Sequence, residues 1–339
     1  MVRFGIAGFG LHARKRLMPA FARTRRAQVV ALSQRNLGRA RASAAEYGIP
    51  HAFDSVEALC ACPDVDAVFV ATPNVCHLQD VLAAARHRKA ILCEKPMAMN
   101  AVECEQMLQA ARTANVLFGV AHVFRFAETV RTIRHQVQSG AVGRPYLARA
   151  EFSYPGIGHA RQWILDRAVG GGMTADVGVH CIDSLRWILN DEVTQVQALM
   201  TFDKSHGDAD LAGALNLRFR SGLLAQVYTS IRVPYRTSFQ IECEKAAVEC
   251  SNALALADPG AVRVLRDSQP VEERNVSNEE AFVQMIEAFA DAFEGKAPFP
   301  APAEEGWRNQ LILDAAYQSA ATGNTVTLDG QFPGNNKPS

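Results

Sequence analysis

The chain has 339 residues, in which 35 lysines and arginines are balanced by 35 aspartates and glutamates. A net charge of zero provides no basic surface of the kind that binds nucleic acid or an anionic membrane, so we expect neither as a partner. The length exceeds what one hydrophobic core usually organises, which favours two domains.

The eight cysteines do not have the spacing of a metal or disulfide site. Cys60 and Cys62, like Cys243 and Cys250, lack CxxC pairs or clustered histidines, so we expect no metal and reduced, mostly buried thiols. The apolar runs are too short to span a bilayer. The first residues do not follow the pattern of a signal peptide, and we therefore expect a cytoplasmic protein.

Short apolar runs alternate with helical patterns over the first part of the chain. The runs predict strands at residues 2–7, 28–32, 67–71, 90–93 and 116–120, with helices at 14–24, 37–47, 55–60, 76–88 and 101–114. Continuous rather than alternating hydrophobicity indicates strands buried on both faces, as in a parallel sheet covered by helices. We expect an α/β Rossmann dinucleotide-binding domain over residues 1–122.

The pattern then changes to alternating polar and apolar residues, which is typical of antiparallel strands. Strands are predicted at residues 146–152, 193–202, 212–219, 224–231, 238–243 and 262–265, and helices at 278–294 and 303–322. We expect an α+β domain over residues 123–330, with a large, mostly antiparallel, open-faced sheet for substrate binding and oligomerisation. Its last helices are able to pack back on the first domain. The polar tail, 331–339, is expected to be flexible.

A glycine-rich turn, Gly8-Phe9-Gly10-Leu11-His12-Ala13, follows the first strand and opens a helical pattern. Glycines at this position let backbone amides approach a pyrophosphate at the positive end of a helix. Gly8, Phe9, Gly10 and Leu11 are therefore predicted to bind a dinucleotide. The alternative is a tight turn without a ligand, because a glycine-x-glycine pattern alone is common.

The end of the second strand indicates which dinucleotide binds. An NAD enzyme usually has Asp or Glu there, to accept a hydrogen bond from the ribose 2′-hydroxyl. This chain has Ser33 and Arg35 instead, with Arg39 one helical turn later. A hydroxyl and a guanidinium suit a 2′-phosphate, so we expect NADP(H) to be preferred over NAD(H). One alternative is that the protein binds NADP(H) and NAD(H) alike. The other is that Arg35 and Arg39 are solvated surface residues that contact no cofactor.

Two further motifs follow the glycine turn along the chain. They are Cys93-Glu94-Lys95-Pro96, and Gly170-Gly171-Gly172 followed by Asp176-Val177-Gly178-Val179-His180. With the glycine turn, they resemble the glucose-fructose oxidoreductase/inositol dehydrogenase/MocA (Gfo/Idh/MocA) family of nicotinamide-dependent oxidoreductases. The resemblance extends from residue 3 to about residue 328. It implies a two-domain oxidoreductase with a nicotinamide cofactor.

The resemblance also implies further cofactor-binding residues. Thr72, Asn74 and His77 would lie along the cofactor's phosphates and ribose, at the carboxyl edge of the sheet where open α/β folds bind ligands. Without the resemblance, Thr-Pro-Asn is a favourable turn and helix start. Glu94 would line the cofactor site as well, and Arg125 is a candidate for its nicotinamide end.

Lys95, Asp176 and His180 are the candidates for catalysis. The resemblance implies that Lys95 reaches cofactor and substrate, that Asp176 binds substrate, and that His180 is the general acid/base, a role suited to imidazole. Asp176 and His180 are four residues apart, so on a helix they share a face. Each residue also has a purely structural alternative. Lys95 would be a surface lysine, Asp176 an acidic residue in the first turn of a helix capped by Thr174, and His180 a core histidine. Trp163 is a candidate for the substrate wall.

We therefore expect an NADP(H)-dependent oxidoreductase acting on a secondary alcohol or ketone of a sugar, sugar derivative or cyclitol. The alternatives are an NAD-dependent inositol or sugar dehydrogenase, a dihydrodiol dehydrogenase, and a catalytically silent NADP-binding sensor. The expected partners are a carbohydrate-like small molecule and further copies of the chain, in a homodimer or homotetramer formed through the C-terminal sheet. The residues do not identify the substrate.

Overall fold

The computed structural model describes residues 1–157 and 162–328 of the chain. The described residues form two compact units. The first comprises Met1–Ala127, Ala168–Gly170 and Glu279–Trp307, and the second comprises the remaining described residues. The tail 331–339, which the sequence predicts to be flexible, lies outside the described residues.

The first unit contains a six-stranded parallel sheet with the order β3-β2-β1-β4-β5-β6. Its strands are β1 Val2–Ala7, β2 Ala27–Ser33, β3 His51–Phe53, β4 Ala67–Val70, β5 Ala90–Cys93 and β6 Phe118–Val120. β4 and β5 are buried throughout, as expected for a sheet with helices on both faces. The order reverses between β1 and β4, and the predicted Rossmann fold is confirmed.

Helices join these strands. They are α1 Met18–Phe21, preceded by a π-helical turn Ala13–Leu17, then α2 Leu37–Tyr47, α3 Val56–Ala61, α4 His77–Arg86 and α5 Ala101–Ala114. Three of them begin at a capping side chain that accepts a hydrogen bond from a backbone N–H of the first turn. The caps are Asn36, Ser55 and Asn100.

The second unit contains a nine-stranded sheet with the order β14-β13-β12-β11-β7-β10-β9-β8-β15. Its strands are β7 Pro145–Ser153, β8 Val193–Phe202, β9 Asp210–Phe219, β10 Leu224–Ser230, β11 Arg236–Cys243, β12 Ala247–Ser251, β13 Gly260–Arg266, β14 Gln269–Val276 and β15 Val326–Thr327. The pairing of β7 with β10 is parallel and the other pairings are antiparallel. The predicted large, mostly antiparallel sheet is thus confirmed.

The two faces of this sheet differ. Helices α6 Glu128–Gln138 and α7 Val179–Leu189 lie against strands of the sheet. Along β10, the buried residues Ala225 and Val227 alternate with the exposed residues Leu224 and Tyr228. One face therefore belongs to the core and the other carries large apolar side chains in contact with solvent.

Two long helices precede the last strand of the described chain: α8 Ala281–Phe293 and α9 Ala303–Thr322. α8 belongs to the first unit. Its Phe289 is fully buried, and its ring centroid lies 5.7 Å from that of Phe4 on β1 and 5.4 Å from that of Phe299. None of the described helices is both long and apolar enough to cross a membrane.

Candidate functional site

The glycine turn lies against the carboxyl end of β4. Gly8 has φ +84°, and a Cβ atom there would lie 2.7 Å from the backbone nitrogen of Thr72, so only glycine fits. The carbonyl of Ser33 accepts hydrogen bonds from the backbone N–H groups of Gly8 and Phe9, both at 3.2 Å. These contacts hold the ends of β1, β2 and β4 together at one edge of the sheet.

The side chain of Phe9 belongs to the core beneath this turn. Its ring packs edge-on against Tyr47 with a centroid distance of 5.3 Å, and the Arg14 guanidinium lies 5.4 Å from each ring. Gln34 donates to the Phe9 carbonyl at 2.7 Å. Phe9 therefore offers a ligand its backbone, whereas the neighbouring Leu11 side chain is exposed.

The residues predicted to bind the ribose and its 2′-phosphate lie between the end of β2 and the first turn of α2. Ser33 is buried, while Arg35 and Arg39 are exposed. The backbone N–H of Arg39 donates to the Asn36 cap at 2.9 Å. Burial raises the pKa of Cys76, in the loop after β4, and the charge of Arg35 acts in the opposite direction.

The loop after β4 directs three predicted residues toward protein partners. The Thr72 hydroxyl donates to Asp80 at 2.6 Å, and the Asn74 amide donates to the Gly170 carbonyl at 3.0 Å. Burial raises the pKa of Asp80. His77 is fully buried, with its ring nitrogens facing backbone carbonyls.

Glu94 and Lys95 follow β5 at the same sheet edge. A Glu94 carboxylate oxygen lies 2.8 Å from Nε2 of His12, in the glycine turn. Burial raises the pKa of Glu94, but the charge and hydrogen bond of His12, with the charge of Lys95, hold it below its ordinary value. Lys95 is half-buried, and the Lys95–Pro96 peptide bond is cis.

Arg125 is buried in the first unit. Its guanidinium donates to the Pro300 carbonyl at 2.8 Å and forms a 2.8 Å ion pair with Glu305. A buried guanidinium needs such partners, because desolvation of an unpaired charge costs far more than a surface ion pair gains. These bonds tie the turn Val123–Phe126 to the chain segment before and within α9.

The second unit places Asp176 and His180 in one cluster with two aromatic residues. The Tyr154 hydroxyl donates to Asp176 Oδ2 at 2.9 Å. The His180 ring stacks on Phe152 with a centroid distance of 6.1 Å and an interplanar angle of 27°. Asp176 and His180 are 6% and 8% exposed, respectively. Both are thus oriented by residues at the end of β7.

The turn that carries Asp176 is held by a buried carboxylate. Thr174–Gly178 forms a π-helical turn that continues into α7. Asp210 accepts from the backbone N–H and the hydroxyl of Thr174 and from the Tyr317 hydroxyl, each at 2.8 Å. A Cβ atom at Gly172 would collide with Asp210. Thr174, which the alternative interpretation of Asp176 made a helix cap, does not cap this turn, because its hydroxyl is directed to Asp210 instead.

Trp163 lies in a short 3₁₀ turn of the second unit, Gln162–Leu165, and is 41% exposed. Its neighbour Ile164 is buried in a small apolar cluster. The other buried members of that cluster are Met173, Val177, Leu211 and Ile231. The cluster anchors the turn and leaves the indole free to contact a ligand.

A different edge of the first sheet carries a cluster of possible metal ligands. Ligand atoms of His51, Cys62 and Asp64 lie within 4.8 Å of one another. His51 Nε2 is already 2.9 Å from the Asp64 carboxylate, and Arg3 pairs with the same carboxylate at 3.1 Å. The residues precede or begin their strands, so they lie at the amino edge, away from Gly8 and Lys95.

Sequence reasoning missed His12 and Tyr154. His12 lies within the glycine motif, but its partner Glu94 is 82 residues away. Tyr154 follows a predicted strand, and only the folded chain directs its hydroxyl to Asp176. The available signal for His12 was its place within the glycine motif, whereas Tyr154 belongs to no motif and was marked only by its position just after β7.

Comparisons with known proteins agree with this architecture. The Gfo/Idh/MocA model described as "Oxidoreductase family, NAD-binding Rossmann fold" matches residues 2–122, and the model of the Gfo/Idh/MocA C-terminal domain matches residues 130–249. A 1,5-anhydro-D-fructose reductase from Ensifer adhaerens is 31% identical over 97% of this chain and 99% of its own.

Two further proteins resemble the chain over nearly its whole length. A D-xylose 1-dehydrogenase (NADP(+)) from Haloferax volcanii is 31% identical over 96% of this chain and 98% of its own. The crystal structure of an aldose-aldose oxidoreductase from Caulobacter crescentus, complexed with glycerol, has a TM-score of 0.89 at 25% identity, covering 96% of this chain and 99% of that one.

The His12–Glu94 pair is expected to make stability depend on pH. Because the pKa of Glu94 is lowered on folding, its ionised form contributes stability above the ordinary glutamate pKa of about 4.3, and this is lost as the pH falls through the lowered value. His12→Leu removes the two largest of the interactions that lower the pKa of Glu94, the charge and the hydrogen bond of His12. Wild type should therefore exceed the variant in melting temperature above about pH 5, with the difference shrinking in acid.

Thermal unfolding between about pH 3 and pH 7 would measure this difference. His87→Leu is the matched control, because His87 forms a similar pair with the exposed Glu57, where solvent weakens the interaction. If the melting temperatures of wild type and His12→Leu differ by the same amount at every pH, Glu94 does not depend on His12.

Proposed function

The chain belongs to the Gfo/Idh/MocA family of oxidoreductases, and we propose that it transfers hydride between NADP(H) and a secondary alcohol or ketone of a sugar, sugar derivative or cyclitol. In this proposal, residues 1–122 bind the cofactor and residues 123–330 bind the substrate. The observation that carries it is the position of Lys95 at the carboxyl edge of the Rossmann sheet, next to Glu94, which His12 links to the glycine turn.

The residues at this edge suit a dinucleotide. At Gly8 the backbone approaches that of Thr72 too closely for any side chain, so the turn from Gly8 to Leu11 presents backbone groups to a pyrophosphate. We assign the 2′-phosphate to Ser33, Arg35 and Arg39. Bound there, the nicotinamide supplies a carbon that accepts or gives hydride.

The remaining cofactor residues have two kinds of role. Thr72 and Glu94 are partly exposed at the sheet edge and are assigned to direct contact. Asn74, His77 and Arg125 are buried in contacts with the protein. We assign to these three the shaping of the walls against which the cofactor lies.

The proposed chemistry needs one proton transfer for each hydride transfer. In oxidation, His180 takes the hydroxyl proton while hydride leaves the carbon that bears it, and Lys95 polarises the same oxygen; reduction reverses both transfers. Asp176 orients the substrate through a hydroxyl group. Tyr154 holds Asp176 by its 2.9 Å hydrogen bond.

A second substrate class is favoured by the aromatic residues of the second unit. Phe152 packs edge-on against Tyr154 and Tyr235, with centroid distances of 6.4 and 6.1 Å, beside His180. Trp163 is also exposed in this unit. Such rings suit the apolar face of a sugar, and they also suit the flat ring of an aromatic trans-dihydrodiol. The dihydrodiols are therefore the runner-up substrates.

A substrate screen tests the proposal directly. Ketoses, anhydro-sugars, aldoses, inositols and dihydrodiols would be incubated with NADP⁺ or NADPH, and turnover read from the absorbance of the reduced cofactor. We expect turnover of a carbohydrate or cyclitol that Lys95→Ala abolishes while cofactor binding is retained. A protein that binds NADPH but turns over none of these compounds would instead be a silent sensor.

Arg35→Ala is expected to weaken NADPH binding selectively. The guanidinium would make a charge-assisted contact with the 2′-phosphate, worth about 1.5–3 kcal/mol, which NADH lacks. Titrations that follow the fluorescence of each reduced cofactor would measure the two affinities. Arg41→Ala is the matched control, since Arg41 is also an exposed arginine and lies on α2. Equal losses for NADPH and NADH would contradict the assignment and favour an NAD-linked dehydrogenase.

His180→Ala is expected to lower kcat by about 10²–10⁴-fold, the usual contribution of general acid/base catalysis. The corresponding limb of the pH–rate profile should flatten, because the titrating group is removed. Steady-state kinetics across a pH series would show both effects. Near-normal kcat in the variant would make His180 a core histidine stacked on Phe152.

The exposed face of the second sheet supports a homodimer or homotetramer. On adjacent strands, Leu147 pairs with Leu224, and Leu199 lies in one row with Ala214 and Tyr228. Leu199 is 75% exposed. The polar row of Asn216, Gln226 and Arg149 lies between these two rows, so the face mixes apolar and polar residues, as interfaces between protein chains commonly do. A second copy offers the same face across a two-fold axis.

Sedimentation at micromolar concentration is expected to show a particle of at least twice the 36.9 kDa chain mass. Leu199→Asp should shift it toward the monomer, because a carboxylate would be buried in the contact. Val102→Asp, at an apolar position 62% exposed on α5, is the control. A wild-type monomer would contradict the assembly and leave the catalytic assignments intact.

A further inference from the structure

His77 is a buried link between two loops of the first unit. Its ring is fully buried at the start of α4. Nε2 lies 2.9 Å from the Thr72 carbonyl oxygen, and Nδ1 lies 3.1 Å and 3.2 Å from the carbonyl oxygens of Pro96 and Met97. The ring thus joins the loop after β4 to the loop that carries Lys95.

The ring faces hydrogen-bond acceptors on both sides. A neutral imidazole has one N–H and donates to one side, whereas a protonated ring donates to both. The charged groups that act on it are Glu94 and Asp80. Burial lowers the pKa of His77, and the Thr72 carbonyl, the charge of Glu94, the Met97 carbonyl and the charge of Asp80 oppose this. In either protonation state, the ring is a donor held between the two loops.

Hydrogen bonds hold the backbone both before and after Lys95. Before the lysine, the Glu94 backbone N–H donates to the Val70 carbonyl of β4 at 2.9 Å. After it, the carbonyls of Pro96 and Met97 face His77. Lys95 is the single residue between Glu94 and Pro96. The direction of its side chain therefore depends on anchors at both ends.

We propose that His77 is a positioning residue for catalysis, which holds the backbone after Lys95 and thereby directs the lysine ammonium toward the reacting oxygen. The ring is too deeply buried to offer a cofactor its own polar atoms. The inference rests on the proposed catalytic role of Lys95. Small displacements of a catalytic group cost large factors in rate, so loss of this anchor should lower kcat rather than cofactor affinity.

The first test needs no substrate. Hydrogen exchange of residues 94–100 would be compared by mass spectrometry in wild type, His77→Leu and Val81→Ala. Val81 is fully buried on the same helix, so its truncation lowers stability without removing the ring contacts. Exchange in the Lys95 loop should accelerate in His77→Leu relative to Val81→Ala. Equal acceleration in both variants would overturn the proposal, since it would reflect only a weakened helix.

The second test uses turnover. His77→Leu should lower kcat by about 10–100-fold while the NADPH dissociation constant stays near that of wild type. His77→Asn can replace the donor at the Nδ1 position and should recover more of kcat than His77→Gln, which reaches toward Thr72. Equal kcat for the two amide variants, or a loss confined to NADPH affinity, would overturn the inference.

The two tests separate this inference from the proposed function. If wild type turns over no substrate, the function fails, and the exchange experiment still decides whether His77 holds the Lys95 loop. If wild type is active and Lys95→Ala is inactive, but His77→Leu retains wild-type kcat, the function stands and His77 has no positioning role.

Discussion

The close approach of Gly8 to the backbone of Thr72 is the constraint on which the ligand-binding edge of the first unit depends. A side chain at residue 8 would push the β1 turn away from β4 and break the contacts with the Ser33 carbonyl. Because parallel strands end at the same edge, one glycine brings together the turn, the Thr72 loop and the Glu94–Lys95 loop. The chemistry of that edge follows from backbone geometry before any side chain contributes.

Buried and partly buried carboxylates provide the next level of order, and each has a specific partner. Glu94 is paired with His12, Asp176 accepts from Tyr154, and Asp210 accepts from Thr174 and Tyr317. Burial of an unsatisfied carboxylate is costly, so each pair restricts the backbone as well as the side chain. The π-helical turn that carries Asp176 begins where Asp210 accepts hydrogen bonds from the backbone N–H and the hydroxyl of Thr174. The residues that hold this turn are therefore as much a part of the site as those expected to touch a ligand.

The sequence predicted elements well where the hydrophobic pattern was long and regular. The predicted bounds of β1, β5, α2, α5, β8 and α9 agree with the structure. β14 was missed because its residues are almost all polar and exposed, and it forms by pairing with β13. α6 was missed although Val130, Ile133 and Val137 have helical spacing, because strand patterns surround it. β3 is only three residues long and carries no pattern of its own.

The candidate site was predictable as a set of motifs but not as a set of contacts. Phe9 and His77 both lie in predicted cofactor-binding segments, and the folded chain buries both side chains. The motif thus predicts a ligand-binding segment, whereas burial decides whether its backbone or its side chain is able to face a ligand. His12 shows the converse, since the sequence assigned it no role and the folded chain pairs it with Glu94. A motif residue can therefore act on a ligand through the loop it holds, and such a role is visible only once its partners across the chain are known.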